Sequence, residues 1–307
     1  MKTIDVAIQS YNKPESLIYT LFSLHKHCKD DIDTVWINDD KSSEGTLEKY
    51  VALAESDRLS PWKIRIRQNT NRMGWWVSFC KGKLPKYAGP LFLLKRMAWN
   101  LYNTRNIFVE ENDFRYQWAI NSTDKENLLV IHDDVQFVGR VTKLLSDDLK
   151  KQENPGIAGD LGQCWRCIYK DNGCSPEKIA EGKFPDSNWP LTRRIKSDHK
   201  WACRVNEWLA LINVNVAKDI ANRENVFFGN YDDDGDIGAY WFSRLVHYGY
   251  NFSDPFINGL NKRDYFIHWD GGITGHSAWV NQGEGKNAYN PTDTANKVLR
   301  EFEYEIL

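Results

Sequence analysis

Two short apolar runs of this 307-residue chain each end on a pair of adjacent aspartates, and this feature constrains the fold most. Residues 34–38 lead into Asp39 and Asp40, and residues 127–132 lead into Asp133 and Asp134. Carboxylates avoid burial and repel each other, so a strand ends on two of them either at a solvated corner or where a ligand binds. In open α/β sheets ligands lie outside the carboxyl ends of the strands. The sequence therefore predicts that both pairs face one crevice.

The chain alternates strand-like runs with helical patterns, which is typical of βαβ units around a mainly parallel sheet. Strands are predicted at 3–8, 34–38, 63–67, 127–132 and 208–212. Helices are predicted from Pro14, through Leu47, Val51 and Ala54, at 74–80, 91–102, 141–151, 215–223 and 237–248, and near the end of the chain. We expect one continuous α/β domain in which helices flank the sheet, with an irregular Cys- and Trp-rich insertion at 163–203.

The charge distribution indicates which partners the protein has. A formal net charge of -2 argues against a nucleic-acid binder, whose surface would be strongly basic. The segment from Pro61 to Arg105 nevertheless carries ten Lys and Arg and no Asp or Glu. Such a segment favours contact with phosphates, an anionic acceptor or a membrane surface, and an ordinary solvated basic surface is the alternative.

The apolar runs predict the cellular location. The first twelve residues lack the long apolar core of a signal peptide and read better as a first strand. No apolar run approaches the roughly 20 residues that are needed to span a bilayer. We therefore expect a cytoplasmic protein whose membrane contact, through residues 63–105, is peripheral at the inner face.

Four cysteines fall in or beside the predicted insertion. Their spacing is C-x2-C-x6-C-x28-C, for Cys164, Cys167, Cys174 and Cys203. A C-x2-C knuckle with two further thiols can bind structural Zn²⁺ tetrahedrally. Four unconnected reduced thiols are the alternative in a cytosolic chain, and disulfides are the less favoured one.

Two segments resemble a known enzyme family. IDVAIQSYNKPESL, followed by WINDDKSSEGT, resembles the opening of the GT-A nucleotide-sugar glycosyltransferases, especially family 2, in which a strand and T-Y-N-x-P-E precede V-D-D-G-S-T-D-G-T. NTNRMG stands where the family has a basic residue after the third strand, and IHDDV stands at its D-x-D motif. The chain departs from the pattern at Lys41, where the family has Gly, and at His132, which replaces the first Asp of D-x-D.

The resemblance implies a GT-A fold and a metal-dependent glycosyltransferase. Residues 1–135 would bind the nucleotide-sugar, with UDP as the expected nucleotide, and residues 136–307 would bind a glycan or lipid-linked acceptor and carry the catalytic base. The resemblance implies that the nucleotide-sugar is bound by Ser10, Tyr11, Asp40, Arg72 and Asp133. It assigns Mn²⁺ or Mg²⁺ to Asp134 and His268, with His276 in reserve, because oxygen ligands with one imidazole suit these ions.

An inverting transferase needs a carboxylate to deprotonate the acceptor hydroxyl. The acidic loop YDDDGD supplies four aspartates before a predicted helix, and by analogy with the family's E-D pair Asp234 is the expected base and Asp233 the next candidate. Charges at a helix N-terminus and a calcium loop are the alternatives. A sugar nucleotidyltransferase is disfavoured because QSYNKPES has no glycine for a phosphate loop. A non-catalytic carbohydrate- or nucleotide-binding protein of the same fold also remains open.

Overall fold

A computed structural model describes residues 4–74, 77–162, 203–233, 235–257, 259–268 and 290–306. The strands are β1 (Ile4–Ser10), β2 (Ile32–Asp39), β3 (Lys63–Gln68), β4 (Phe79–Cys80), β5 (Phe108–Val109), β6 (Asn127–His132), β7 (Val135–Phe137), β8 (Pro155–Gly162), β9 (Arg204–Asn213), β10 (Asn251–Ser253) and β11 (Phe266–His268). A seven-stranded sheet with the order β10-β8-β9-β6-β1-β2-β3 forms the centre.

Helices cover the sheet. They are α1 (Pro14–Cys28), α2 (Glu44–Glu55), α3 (Pro90–Tyr102), α4 (Gln117–Ser122), α5 (Val141–Leu149), α6 (Val214–Glu224), α7 (Ala239–His247) and α8 (Pro291–Phe302). One apolar cluster joins the sheet to α1 and α5 and includes Leu21 and Leu145. A second cluster joins it to α6 and α7 and includes Ile220 and Trp241. The sheet is thus buried on both faces, as parallel sheets require.

The pairing of the strands confirms the predicted fold class. Strand β6 pairs in parallel with β1, β1 with β2, and β2 with β3, while β9 runs antiparallel to both β6 and β8. The chain is therefore an α/β protein with a mainly parallel sheet. The antiparallel β9 brings its first residues, from Arg204 onward, to the edge where β6 ends.

The helix predicted at 74–80 is wrong. Phe79 and Cys80 form β4 and pair with Phe108 and Val109 of β5. Gly74 has a φ of +52°, which lies outside the helical region, and the aromatic Phe79 favours an extended chain. A periodic pattern of seven residues was too short to decide between the two states.

Residues 156–162, which were predicted to be neither helix nor strand, belong to β8 in the interior of the sheet. A Cβ at Gly159 would lie 2.3 Å from the Leu209 carbonyl oxygen of β9. The close approach of these two strands therefore requires glycine at this position.

Within the described ranges, we find no helix with both the length and the apolar character that crossing a bilayer demands. The predicted insertion at 163–203 lies outside those ranges, apart from Cys203.

Candidate active site

The register of the sheet gathers the ends of three strands. Ser10 at the end of β1 lies opposite Asp39 at the end of β2, and Gln9 of β1 lies opposite His132 at the end of β6. These strands are parallel, so their carboxyl ends meet at one edge. This edge carries both aspartate pairs, as expected for a ligand site in such a sheet.

The first pair stabilises loops. Asp39 accepts hydrogen bonds from the backbone N–H and hydroxyl of Ser42, and its Oδ2 accepts a 2.9 Å bond from Gln68 Nε2. Asp40 accepts from the N–H groups of Met73 (2.7 Å) and Gly74 (2.9 Å) and from Asn69 Nδ2 (3.1 Å). Both carboxylates are fully buried.

These bonds explain why β2 ends on two like charges. Burial raises the pKa of Asp40, although the Arg115 guanidinium and the hydrogen bonds from Met73, Gly74 and Asn69 oppose that rise. Each carboxylate finds its partners in the chain itself, which is how buried charges are tolerated. The expected contact of Asp40 with a nucleobase stays a prediction, and the structure gives this side chain a second role.

The second pair lines a cavity. Asp133 Oδ2 accepts a 2.6 Å hydrogen bond from the Ser10 hydroxyl, which in turn accepts a 2.8 Å bond from the Tyr50 hydroxyl. The Ser16 hydroxyl donates to the Asp133 carbonyl oxygen at 2.6 Å. Burial and the neighbouring charge of Asp134 raise the pKa of Asp133. Ser10 and Asp133, both predicted as nucleotide-sugar residues, are therefore in direct contact.

The Asp134 carboxylate lies close to two histidine side chains. His268 Nε2 lies 3.3 Å, and His132 Nδ1 lies 3.6 Å, from Asp134 Oδ1. One ligand atom from each of these three residues lies within 4.8 Å of the others. Burial disfavours the charged carboxylate, but the two imidazoles hold the pKa of Asp134 well below its usual range.

A small sheet brings His268 to Asp134. Strand β11 pairs antiparallel with β7, which places His268 opposite Val135, the residue that follows Asp134. The Trp208 ring stacks on the His268 imidazole, with centroids 4.6 Å apart and planes at 20°. The structure thus brings together the two predicted metal ligands and fixes the orientation of the second one.

The cluster fits a divalent ion. One carboxylate oxygen and two imidazole nitrogens lie within 4.8 Å of one another, which is close enough for a single ion to contact all three. His132 replaces the first Asp of D-x-D and was not predicted as a ligand. Its position at the first residue of that motif was the signal that could have identified it.

A buried chain of charges continues from His132 into β9. Glu207 Oε1 lies 3.6 Å from His132 Nε2, and Arg204 bridges Glu207 (3.2 Å) and Asp236 (3.2 Å). Burial lowers the pKa of His132, but the nearby carboxylates of Asp134 and Glu207 outweigh this effect and raise the pKa overall. Arg204 and Glu207 were not predicted as site residues because the predicted strand begins only at Trp208, whereas β9 begins at Arg204.

Two predicted nucleotide-binding side chains stack on each other. The Arg72 guanidinium carbon lies 3.7 Å from the centroid of the Tyr11 ring, a cation–π geometry. Lys13, which the sequence analysis did not single out, is buried nearby, where the charges of Asp133 and Asp134 act on it. Burial lowers the pKa of Lys13, and the two aspartates oppose this effect.

The cavity beside the cluster of Asp134, His132 and His268 has a buried cation in its wall. It is lined by Gln9, Ser10, Tyr11, Arg115, Tyr116, His132, Asp133 and Asp134. Arg115 is buried and donates hydrogen bonds to the carbonyl oxygens of Gly74 and Gly229. A Cβ at Gly229 would lie 2.2 Å from the Arg115 carbonyl oxygen, so glycine is required for this approach. The cavity therefore combines acidic ligands with a guanidinium that could neutralise an anion.

The acidic loop is described only in part. Asp234, the expected base, lies outside the described residues. Asp233 has a φ of +47°, and Asp236 pairs with Arg204. Asp232 is buried, and its Oδ1 accepts hydrogen bonds from the Tyr87 hydroxyl (2.9 Å) and Asn230 Nδ2 (3.1 Å). Burial raises the pKa of Asp232 to about 7.

This buried carboxyl predicts a pH-dependent stability. The pKa of Asp232 is about 7 in the folded state, above the ordinary value near 3.8 that applies to the unfolded chain. Between these two pH values the folded protein binds more protons than the unfolded chain. The free energy of unfolding therefore falls as pH rises through this window. The Asp232→Asn variant lacks the ionisation. We expect its free energy of unfolding, relative to wild type, to increase from pH 5 to pH 8, by about 1–3 kcal/mol. Urea denaturation at both pH values measures it, and a constant difference would contradict the assignment.

The zinc prediction is not tested by the described residues. Cys164, Cys167 and Cys174 lie outside them, and Cys203 is buried directly before β9.

Comparison with protein-family models finds no match, and neither does comparison with curated proteins. Several solved structures are similar in fold. One is the mannosyltransferase PcManGT from Pyrobaculum calidifontis in complex with GDP-Man and Mn²⁺ (14% identity, TM-score 0.44, covering 82% of this chain and 54% of that one). Another is S. aureus TarS (13% identity, TM-score 0.45, covering 86% of this chain and 36% of that one).

A third similar structure is glucosyl-3-phosphoglycerate synthase from Mycobacterium tuberculosis in complex with Mn²⁺, UDP and phosphoglyceric acid (11% identity, TM-score 0.44, covering 82% of this chain and 68% of that one). This chain spans about half the length of the mannosyltransferase and about a third of TarS.

Proposed function

We propose that this protein is a GT-A glycosyltransferase that moves a sugar from a nucleotide-sugar, with UDP as the favoured nucleotide, to a glycan or lipid-linked saccharide. The observation that carries the proposal is the convergence of Asp134, His268 and His132 beside a cavity at the carboxyl ends of β1 and β6. The resemblance of residues 1–135 to the family agrees with this position. Residues 136–307 would then supply the acceptor site and the base.

Asp134 and His268 would hold Mn²⁺ or Mg²⁺, and a second imidazole from His132 would favour Mn²⁺ because Mg²⁺ prefers oxygen ligands. When bound, such an ion stabilises the negative charge that grows on the diphosphate leaving group. Arg115, buried in the wall of the same cavity, would add a fixed positive charge that stabilises the diphosphate. The Ser10 hydroxyl donates a 2.6 Å hydrogen bond to Asp133 Oδ2 and so orients this carboxylate. The oriented carboxylate would contact the ribose or the water ligands of the ion.

The base assignment follows from inversion, which we propose as the stereochemical outcome. A carboxylate of the acidic loop would remove the proton of the acceptor hydroxyl as that oxygen attacks the anomeric carbon. Asp234 is our first candidate and Asp233 the second. The Arg204 bridge ties Asp236 of this loop to Glu207, which supports a fixed position of the loop relative to the metal cluster.

The Asp234→Asn variant is expected to lower turnover by about 100-fold or more while donor and metal still bind, because removing proton transfer leaves ground-state contacts in place. Initial rates of nucleotide release, together with donor affinity, measure the effect. Asp219→Asn, a carboxylate on α6 that is paired with Arg223, is the control. Near-normal turnover of Asp234→Asn would reject the role, since Asn caps a helix about as well as Asp, and Asp233→Asn would be tested next.

The experiment that tests the proposal is thermal stabilisation by a panel of nucleotide-sugars with and without Mn²⁺. A ligand that binds only folded protein raises the apparent stability by about 2.7 kcal/mol at 100 times its dissociation constant. We expect a metal-dependent rise of the melting temperature with UDP-linked sugars. Stabilisation without donor turnover would instead favour a non-catalytic binding protein. Pyrophosphate-dependent formation of nucleoside triphosphate would favour a sugar nucleotidyltransferase.

A further inference from the structure

Helix α3 presents an apolar face to solvent. Leu91, Leu94, Ala98 and Leu101 follow one another at spacings of three and four residues, so they form one stripe along the helix. Leu91 is 84% exposed, Leu94 63% and Leu101 65%. Asn100 is the one residue of α3 that is buried. Exposed apolar stripes of this kind mark interaction sites.

The opposite face attaches α3 to the rest of the protein. Asn100 Nδ2 donates to the carbonyl oxygens of Val77 (2.8 Å) and Asn106 (3.1 Å). The Phe92 ring contacts Phe79 and Tyr87, with centroids 6.4 and 5.5 Å away. The orientation of the helix is therefore fixed, and its apolar stripe faces outward because the anchored face points inward.

Aromatic and basic side chains border the stripe. Trp99 is 49% and Tyr102 83% exposed, and their ring centroids lie 6.4 Å apart at the C-terminal end of α3. Lys86, which precedes the helix, and Lys95, which lies on it, are exposed. Lys81 and Lys83 are neutralised by Glu110 and Glu111, so the remaining cations set the local charge.

We propose that this α3 surface, formed by Leu91, Leu94, Ala98, Trp99, Leu101 and Tyr102, docks on an anionic lipid bilayer. An interfacial helix lies in the plane of the membrane, with its apolar face among the acyl chains and cations toward anionic headgroups. Trp and Tyr rings favour the headgroup level, where one part of the ring is apolar and the other polar. The surface has each of these parts in the required arrangement.

A second copy of the chain fits this surface less well. A 13-residue helix is about 20 Å long and about 10 Å wide, whereas a stable interface covers about 800 Å² on each partner. The exposed Lys86 and Lys95 border the stripe, so two copies would also bring like charges together. A bilayer with anionic lipids removes both difficulties, since it supplies an extended surface of opposite charge.

The inference is independent of the proposed glycosyl transfer, because membrane binding needs neither donor nor metal. The test is co-sedimentation of the full chain with vesicles of phosphatidylcholine alone, or mixed with phosphatidylglycerol, at low and high salt. We expect binding to the mixed vesicles that salt weakens. The Leu91→Gln/Leu94→Gln double variant should bind at least about tenfold less, since it removes apolar contact without changing charge. Leu299→Gln, at an exposed leucine of α8, is the control.

Three outcomes would overturn the proposal. The wild type could fail to bind the mixed vesicles, or the double variant could bind as tightly as the wild type. The wild type could sediment as a dimer that the double variant dissociates, which would make a second copy the occupant. The melting temperature adds a check: the exposed leucines predict an unchanged value in the double variant, and a clear decrease would mean that another segment of this chain covers the surface.

Discussion

Replacing Asp134 with asparagine is expected to weaken Mn²⁺ binding by at least about 100-fold and to lower turnover by about 100- to 1000-fold. An amide is a poor ligand for a hard cation, and Asp134 is the carboxylate that both His268 and His132 approach within 3.6 Å. Electron paramagnetic resonance of free Mn²⁺ gives the affinity without any turnover. The loss of Mn²⁺ affinity can therefore be measured without an acceptor substrate.

The matched control is Asp124→Asn, at an exposed carboxylate that precedes β6. It should bind Mn²⁺ like the wild type. If Asp134→Asn retained wild-type Mn²⁺ affinity while remaining folded, the metal would have to lie elsewhere, with Asp133 as the first alternative.

Replacing Asp40 with alanine is expected to lower the free energy of unfolding by about 3 kcal/mol. The substitution leaves the N–H groups of Met73 and Gly74 and the Asn69 side-chain amide without their acceptor, and each buried donor left unsatisfied costs about 1–3 kcal/mol. The raised pKa of Asp40 shows that its charged form is already disfavoured by burial, which offsets part of the loss. Urea denaturation measures the change.

Asp30→Ala, at an exposed carboxylate after α1, is the control and should stay within about 0.5 kcal/mol of wild type. The two roles of Asp40 can be separated by also measuring nucleotide affinity. A variant of wild-type stability that binds nucleotide poorly would contradict the structural role and support the base contact alone.

Local patterns predicted five of the seven strands of the central sheet and missed β8 and β10. The bounds of β6 agree with those predicted, because a compact apolar run between polar residues leaves little choice. Helix α1 begins at Pro14, as proline at a first helical turn indicates. The 74–80 segment was misassigned because its local preference is weak and its β4–β5 pairing partner lies about 30 residues away.

The candidate site was predictable only where a motif lies beside a strand end. Asp133 and Asp134 follow β6 directly, whereas His268 reaches them through the β7–β11 pairing across more than 100 residues. Its assignment came from the family resemblance and not from local pattern. Glu207 and Arg204 carried no local signal, since charged residues at the start of an apolar strand usually read as a solvated end. Arg115 was missed because its role depends on the close approach of Gly229.

The central claim is that the chain transfers sugar from a nucleotide donor at the Asp134 centre, and the most direct measurement is the Mn²⁺-dependent release of nucleoside diphosphate from a panel of nucleotide-sugars. We predict release above background from at least one donor, its loss on chelation by EDTA, its recovery with added Mn²⁺, and its absence in Asp134→Asn. Donor breakdown that is equal in wild type and Asp134→Asn, or no breakdown of any donor with Mn²⁺ and a range of saccharide acceptors present, would contradict the account.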